Sequence, residues 1–427
     1  MFGLAVAMSI AAAPVGESHA QTMLPAGDVT VDQLVARAVA DNPDIQAAQA
    51  VAQAARGRLI QAGLRPNPML ELGGQKALSA DNNVMVGVTV PLDLNGRKEG
   101  RLGVAEREIE MKQAQVADRE RRLRADVRMK AADVLGARRD LEVTDDLLRV
   151  NREALRLVGE RARRGAATPL DENLLLVEVN RLEASRRMLE SRGEVFTLQL
   201  KALTAWPSES PLSVTGSLGE PPRPIDRSAG IARALERRSD LRVAQADAAL
   251  ARAKVTKEQA EGRWDASINV NYQRQDTGFG GLSGITDRGG TRPIQDTFHY
   301  FGGNVTITLP VRNQNQGNVA AARAETAAAD RRVELAVLTI RQEVDAAFTQ
   351  YEAAKRSLEI YARGVREVAR QNFDVVRKSY DLGRGTLLDV IAEQRRYIEV
   401  EMRYTDALRQ VYSAAVDIER AVGTANP

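Results

Sequence analysis

Two stretches of this sequence repeat each other in the same order, and this duplication constrains the fold more than any other feature. Three landmarks of the first half return in the second half at offsets of 196, 219 and 218 residues. They are Arg37–Val39 and Arg233–Leu235, Val88–Pro91 and Ile307–Pro310, and Gly165–Asp171 and Gly383–Asp389. The offset jumps at the Gly-rich insertion Asp276–Thr297, where the first half has only Ala77–Asn83. The sequence therefore predicts two structural repeats, 22–205 and 229–423, with a proline-rich linker at 206–228 and a tail at 424–427.

Long heptad patterns follow the strands of each repeat. Apolar residues recur every seven residues from Val337 to Val365, and a second series three residues further on runs from Ile340 to Val375. A similar series runs from Val127 to Ala162 in the first repeat. This spacing is typical of coiled-coil seams, in which side chains of one helix fill holes in a neighbour. A helix over 97–164 would be about 100 Å long, so we expect an extended rod instead of a globular domain.

Each repeat is predicted to contain a helix, two strands, a very long helix and a returning helix. In the first repeat we expect strands near 68–76 and 84–91, a long helix near 97–164 and a returning helix near 170–204. In the second repeat we expect strands near 266–275 and 299–309 and helices near 318–382 and 386–422. The insertion Asp276–Thr297 lacks periodicity and is rich in glycine, so it is expected to be a mobile loop.

The strands alternate between apolar and polar residues. Ile268, Val270 and Tyr272 share one face of their strand, opposite Asn269 and Asn271. Such alternation is typical of outer-membrane barrels, and the alternative is a small soluble sheet covering a core. Each repeat offers only two strands and no separate apolar helix to cover them, which favours the barrel. Four strands cannot close a barrel, whose smallest examples have about eight, so three chains supplying twelve strands are expected.

Aromatic residues flank the second pair of strands. They are Trp264, Phe298, Tyr300 and Phe301. An aromatic belt at the lipid boundary is one interpretation, and simple packing is the other.

The N-terminus has the pattern of an export signal. Leu4–Ala13 is a short apolar run, and the small residues Ser18 and Ala20 precede Gln21. Residues 1–21 are therefore interpreted as a signal peptide, the alternative being the core helix of an intracellular protein. The chain has no Cys, so disulfides, thiolate metal ligands and a lipid-modified N-terminal Cys are excluded.

Composition excludes several classes of function. The 60 basic residues nearly balance the 57 acidic ones, which gives no nucleic-acid signal. His19 and His299 are the only histidines, so no imidazole cluster can bind a metal ion. The sequence contains no nucleophile motif, and we predict no catalytic residues, no cofactor and no resident metal site. After the N-terminus, no run of 18 apolar residues could form a transmembrane helix.

With this order of elements, the chain resembles the TolC family of outer-membrane efflux channels over most of its length. Local matches are Asn42–Pro43, Gln61–Pro68, Tyr380–Gly383 and Thr386–Val390. The Gln61–Pro68 run is similar to the heavy-metal (cobalt–zinc–cadmium type) branch. The resemblance implies a mixed α/β membrane protein: a homotrimer with a 12-stranded β-barrel in outer-membrane lipid and a helical barrel across the periplasm. Its implied partners are a periplasmic adaptor (membrane fusion) protein and an inner-membrane resistance–nodulation–division pump.

The resemblance also implies two sets of functional residues. Adaptor contacts fall at the two helix–turn–helix tips. The tip residues are Gly165, Thr168, Asp171, Gly383, Gly385 and Thr386. Asp389 and Glu393, four residues apart on one helix face, are predicted to narrow the periplasmic gate. For the tips, the alternative interpretation is a helical hairpin turn with no further role. For the gate, the alternative interpretation is a solvated helix face on which Arg395 and Arg396 pair with the acidic residues.

Four functions remain open on the sequence alone. Efflux of divalent heavy-metal cations through a tripartite system is the leading hypothesis. Multidrug efflux and type I secretion are alternatives that use the same kind of channel. A periplasmic coiled-coil adaptor is the fourth, although adaptors have a single helical hairpin whereas this sequence predicts two.

Overall fold

The computed structural model describes residues 28–78, 81–222 and 226–423, and these form a mainly helical chain with a four-stranded sheet. The predicted signal peptide 1–21 and the tail 424–427 lie outside the described residues.

Each half of the chain contains, in order, short helices, strands and long helices. In the first half they are β1 (Val29–Thr30), α1 (Val31–Asp41), α2 (Pro43–Gly63), β2 (Met69–Lys76), β3 (Asn82–Leu92), α3 (Arg97–Arg163) and α4 (Pro169–Leu203). The linker contains β4 (Val214–Thr215). The second half comprises α5 (Arg227–Arg237), α6 (Ser239–Glu261), β5 (Asp265–Ile285), β6 (Thr291–Thr308), α7 (Gln316–Ile360), a π-helical turn (Tyr361–Val365), α8 (Arg366–Asp381) and α9 (Leu387–Val422).

Two apolar cores lie where the helices of each half converge. The first packs Leu34 of α1, Val127 of α3 and Leu200 of α4 against the C-terminal part of α9. The second packs Ile340 and Val344 of α7 against α5, α6 and α9. Because α9 contributes to both cores, its C-terminal end holds the two halves together.

The linker is part of this packed region. Trp206 and Leu218 are buried in the first core. The short strands β1 and β4 pair in parallel, with Val29 opposite Val214. The linker therefore closes the first half onto its own N-terminal segment.

The four longer strands form one antiparallel sheet in the order β2-β3-β5-β6. Directly opposite residues share a face, so the register divides the side chains into an apolar face and a polar face. The apolar face comprises Leu70, Leu72, Val84, Val86, Val88, Val90, Ile268, Val270, Phe301, Val305 and Ile307. The polar face includes Glu71, Thr89, Ser267, Asn269, Asn271, Gln273, Asn304 and Thr306, and the register also places Met85, Phe298 and Tyr300 on it.

On the central strands β3 and β5, the apolar face is exposed and the polar face is the more enclosed one. Val88 and Val270 on the apolar face are 40% and 62% exposed, whereas Thr89 on the polar face is 8% exposed. This is the reverse of a soluble sheet, in which the apolar face covers a core.

The prediction of a mobile loop at Asp276–Thr297 is wrong. The ladder continues past Asp276 opposite Thr297 to Phe279 opposite Ile294, then passes an irregularity before Ser283. Only residues 286–290 form the turn. Glycines carry no side chain, so they hide the alternation that marks a strand, while their backbones still pair.

The long helix predicted over 318–382 contains a π-helical turn, Tyr361–Val365, which separates α7 from α8. A π-helical turn accommodates an extra residue and shifts the positions that follow. The predicted heptad series, continued by seven residues from Val365, puts Asn372 at a core position. The structure instead exposes Asn372 and buries Phe373, one residue later. Phe373 stacks on Tyr397 of α9 with ring centroids 5.8 Å apart.

A search of the described residues for membrane-spanning helices finds no helix with a sufficiently long and apolar stretch.

Candidate functional site

The two helical hairpins of the chain end in tips of the same construction. At the first tip, α3 ends at Arg163, and Gly165, two residues later, has a left-handed backbone with φ of 71°. The N–H of Gly165 donates to the carbonyl of Ala162, and the N–H of Ala166 donates to that of Arg161, at 3.0 and 2.8 Å. This is the Schellman arrangement, which requires a residue that tolerates positive φ.

The second tip repeats this arrangement. Gly383 has a φ of 72°. Its N–H donates to the carbonyl of Tyr380, and the N–H of Arg384 donates to that of Ser379, each at 2.9 Å. Glycine at both positions avoids the steric cost that a side chain would impose. Gly385, which completes this tip, has ordinary backbone geometry and is only partly exposed.

The returning helices begin with matching capping boxes. The Thr168 hydroxyl accepts from the N–H of Asp171 at 3.2 Å, and the Asp171 carboxylate accepts from the N–H of Thr168 at 3.3 Å. Thr386 and Asp389 form the same pair of hydrogen bonds at 3.2 and 3.1 Å. Each box satisfies backbone donors that a helix start would otherwise leave unpaired.

The tips of the two hairpins pack against each other. Val158 and Leu175 of the first hairpin form a buried cluster with Leu387 and Ile391 of the second. Tyr380 borders this cluster, and burial, with a contribution from the Asp171 charge, raises the pKa of its hydroxyl. The structure therefore places all six predicted tip residues at the same end of the folded molecule.

Asp389, the first predicted gate residue, has a local partner. Hydrogen bonds from the hydroxyl and the N–H of Thr386 lower the pKa of its carboxyl. Asp389 is exposed and stays ionised to more acidic pH than a free aspartate. Its position therefore combines a helix cap with an exposed negative charge.

Glu393, the second predicted gate residue, lies one turn further along α9 and is paired. Its carboxylate accepts from Arg396 at 3.1 Å, and its side chain is only 13% exposed. Arg395 points elsewhere and donates to Glu178 of α4 at 2.8 Å. The alternative interpretation, a solvated helix face with Arg395 and Arg396 as partners, is matched only by the Glu393–Arg396 pair, because Arg395 binds Glu178 and the Glu393 side chain is mostly buried.

Two buried carboxylates form ion pairs between neighbouring helices near the tips. Neither was predicted from the sequence. Glu178 is fully buried and accepts from Arg181 and Arg395. Glu401 is 2% exposed and accepts from Arg366 of α8 at 2.6 Å. Heptad analysis could have found Glu178, because it lies among the buried positions of α4, but its partner on α9 is set by tertiary packing.

A groove of about 480 Å³ runs beside the tips between α3 and the second hairpin. Its walls include Leu157 of α3, Tyr380 of α8 and Val390 of α9. Gln394 also lines it, and the amide nitrogen of this buried side chain has no hydrogen-bond partner among the described residues. The groove therefore places an apolar surface beside the tips.

No group of three or more His, Cys, Asp or Glu side chains within the described residues could hold a metal ion.

Comparison with known proteins gives matches along nearly the whole chain. The family model described as outer membrane efflux protein matches residues 34–205 and 230–424. The cobalt-zinc-cadmium resistance protein CzcC of Cupriavidus metallidurans is 24% identical over 432 residues, which span 99% of this chain and 98% of that protein.

Solved structures share the fold. A CusC structure, reported in connection with transmembrane channel formation, superposes with a TM-score of 0.74 at 15% identity and covers 93% of both chains. The open state of the Neisseria gonorrhoeae MtrE outer membrane channel gives 0.71 at 19% identity, covering 92% of this chain and 88% of that one. These similarities place the order and packing of the elements in one known architecture.

Proposed function

The chain belongs to the outer membrane efflux protein family, and from this we propose that it is the outer-membrane channel of a tripartite efflux system that exports divalent heavy-metal cations. The observation that carries the proposal is the family match over both halves, together with a sheet whose apolar face is exposed. In this proposal the sheet lies in the outer membrane, and the helices extend into the periplasm.

The sheet supports the proposal because its two edges are open. Strands β2 and β6 each pair on one side only within the described sheet. Unpaired backbone groups are costly in lipid, so edge strands there must pair with another chain. Three copies joined from β6 to β2 would give a closed barrel of twelve strands, with the apolar face towards lipid and the polar face towards the lumen.

Exposed apolar stripes on the long helices support the same trimer. Val177, Met188 and Val195 lie on one side of α4 and are 60%, 74% and 46% exposed. Helical spacing puts them opposite Leu175 and Leu182, which are buried. A second stripe on α7 and α8 comprises Leu335, Leu338, Ile360, Val368 and Val375. We propose that the α4 stripe of one copy packs against the α7–α8 stripe of the next.

The tips are the proposed docking site for a periplasmic adaptor, which would link this channel to an inner-membrane resistance–nodulation–division pump. Both tips are turns of the same construction. Gly165, Thr168, Gly383 and Thr386 are exposed in them, and Asp171 and Gly385 are partly exposed. The groove beside them offers an apolar wall that includes Leu157, Tyr380 and Val390. A helical hairpin of the adaptor would fit this kind of surface.

The metal cargo is proposed from the similarity to the cobalt-zinc-cadmium resistance protein. A channel conducts hydrated ions without binding them tightly, so it needs no resident metal site. In this scheme Asp389 and Glu393 would form an acidic ring at the periplasmic end.

Two measurements test the proposal. Purified protein added to a planar lipid bilayer should produce ion flux in discrete steps, and a strain lacking it should become sensitive to zinc, cobalt and cadmium. A strain that instead becomes sensitive to drugs, or that stops secreting a protein, would replace the metal cargo with one of the alternatives. Protein that produces no flux and leaves the membrane without detergent would overturn the channel and favour a soluble adaptor.

A further inference from the structure

One acidic side chain of the polar face lies on the edge strand β2, midway along the strand direction between Asp265 and Asp296. Glu71 of β2 lies opposite Gly87 of β3, which in turn lies opposite Asn271 of β5. No ion pair joins Glu71 to a described residue. If the polar face lines the lumen as proposed above, each of three copies places one carboxylate there at the same level.

The charges of the sheet are segregated by face. The acidic residues on the polar face of the paired strands up to Phe279 and Ile294 are Asp265, Glu71 and Asp296. The described residues of that face include no Lys, Arg or His. Arg274 and His299, which lie opposite each other, belong to the other face.

Glu71 differs from the other two acidic residues in its surroundings. Asp265 lies at the end of its strand and pairs with Arg97 of α3 at 3.0 Å, which offsets its charge. Asp296 lies close to the outer turn, and its carboxylate accepts from the N–H of Thr297. Glu71 is therefore the uncompensated negative charge midway along the strand direction of this face.

Neighbouring side chains hold the Glu71 carboxylate in place. The Thr89 hydroxyl donates to Glu71 Oε1 at 2.8 Å, and the Asn269 amide donates to Oε2 at 3.5 Å. The same amide donates to the Thr89 oxygen at 2.7 Å, so Thr89 and Asn269 support each other. Neutral donors orient the carboxylate without neutralising it.

Glycines leave room beside this carboxylate. Gly87 and Gly302 occupy the same row of the sheet as Glu71, on either side of Asn271. A Cβ at Gly302 would lie 2.5 Å from the Asn271 amide oxygen, so Asn271 uses the space that the missing side chain leaves. No bulky side chain of this row covers the carboxylate.

We propose that Glu71 is a specificity-determining residue of the channel, which makes the outer barrel favour cations over anions. The inference rests on the proposed trimeric channel and goes beyond it, because it assigns selectivity within the membrane in addition to any gate at the tips. A ring of fixed negative charges raises the local concentration of cations and repels anions. Thr89 is a positioning residue for this carboxylate.

The test is the reversal potential of single channels in a potassium chloride gradient. Glu71→Gln keeps the shape and removes the charge, so the cation-to-anion permeability ratio should fall by about twofold at ~0.1 M salt, where the screening length is about 10 Å. The difference should vanish near ~1 M salt, where that length is about 3 Å. Glu71→Lys should lower the ratio further.

Controls separate charge from folding. Glu71→Asp keeps the charge and should keep the ratio, and Thr89→Val should reduce it by less than Glu71→Gln. The same variants are also measured with Asp389→Ala, so that a narrow periplasmic end cannot mask the barrel. An unchanged ratio for Glu71→Gln in both backgrounds, with a conducting wild-type channel, overturns this inference alone. A wild-type protein that does not conduct overturns the proposed function instead.

Discussion

Asp389 and Asp171 hold the same position in two copies of one turn, yet only Asp389 is proposed to act at a gate. Each carboxylate accepts from the backbone N–H and the hydroxyl of the threonine three residues earlier. The capping role is therefore common to both residues. A gate role for Asp389 would come from its place around the threefold axis of the proposed trimer.

Asp389→Ala should raise the conductance of the closed channel by about twofold, because removing a ring of like charges and side chains widens the aperture. Asp171→Ala removes the equivalent cap from the other hairpin and should leave conductance unchanged. Asp389→Asn can keep the cap without the charge, so it separates the two roles. Single-channel recording and the entry of vancomycin into cells are the measurements, and equal effects of the two alanine variants would attribute the change to fraying of a helix start.

At the scale of elements, the π-helical turn decides which side of α8 meets α9. Ile340 and Val344, before this turn, follow the predicted heptads into the second core. Beyond it Val368 and Val375 are 49% and 62% exposed, although the same series predicts them to be buried. The extra residue of the turn thus moves one apolar stripe to the surface, where the proposed neighbouring copy would cover it.

Phe373→Ala should destabilise the hairpin by about 3 kcal/mol, which is usual for removing a buried aromatic side chain. Phe373 is 8% exposed and loses its stack on Tyr397 in this variant. Asn372→Ala is the matched control, and it should change stability by less than about 0.5 kcal/mol because Asn372 is exposed. Urea unfolding and protease cleavage near Gly383 report the difference. A larger effect at Asn372 would contradict the shifted register.

At the scale of the whole molecule, two kinds of open surface are available to the further copies of the proposed trimer. The strand edges β2 and β6 offer backbone hydrogen bonds, and the stripes on α4 and α7–α8 offer apolar area. The two kinds of surface lie at different heights of an elongated chain. A trimer that used both would be held together in the lipid and outside it.

Met188→Asp should weaken the trimer, because the charge would be buried against the stripe of the next copy at a cost of several kcal/mol. Met188 is 74% exposed in the single chain, so the substitution should leave the fold of the chain intact. Met188→Leu is the control and should assemble normally. Light scattering in detergent measures the mass, and a Met188→Asp protein that remains fully trimeric would exclude this stripe from the interface.

The sequence alone indicated a mainly helical chain with long rods and alternating strands, because heptad spacing and two-residue alternation are local patterns. It also placed glycine and threonine at the tips, since left-handed turns and helix caps demand particular residues. The sequence did not predict the strands of the Gly-rich insertion, because residues 276–285 pair through the backbone and show no side-chain alternation.

Only the tertiary structure determined which side chains of distant segments contact each other. It paired Glu178 with Arg395 and shifted the buried position from Asn372 to Phe373. It also put Glu71, Thr89 and Asn269 in one network, although 198 residues separate the first from the last. These contacts depend on strand register and on the rotation of one helix against another, and periodicity within a segment carries no information about either.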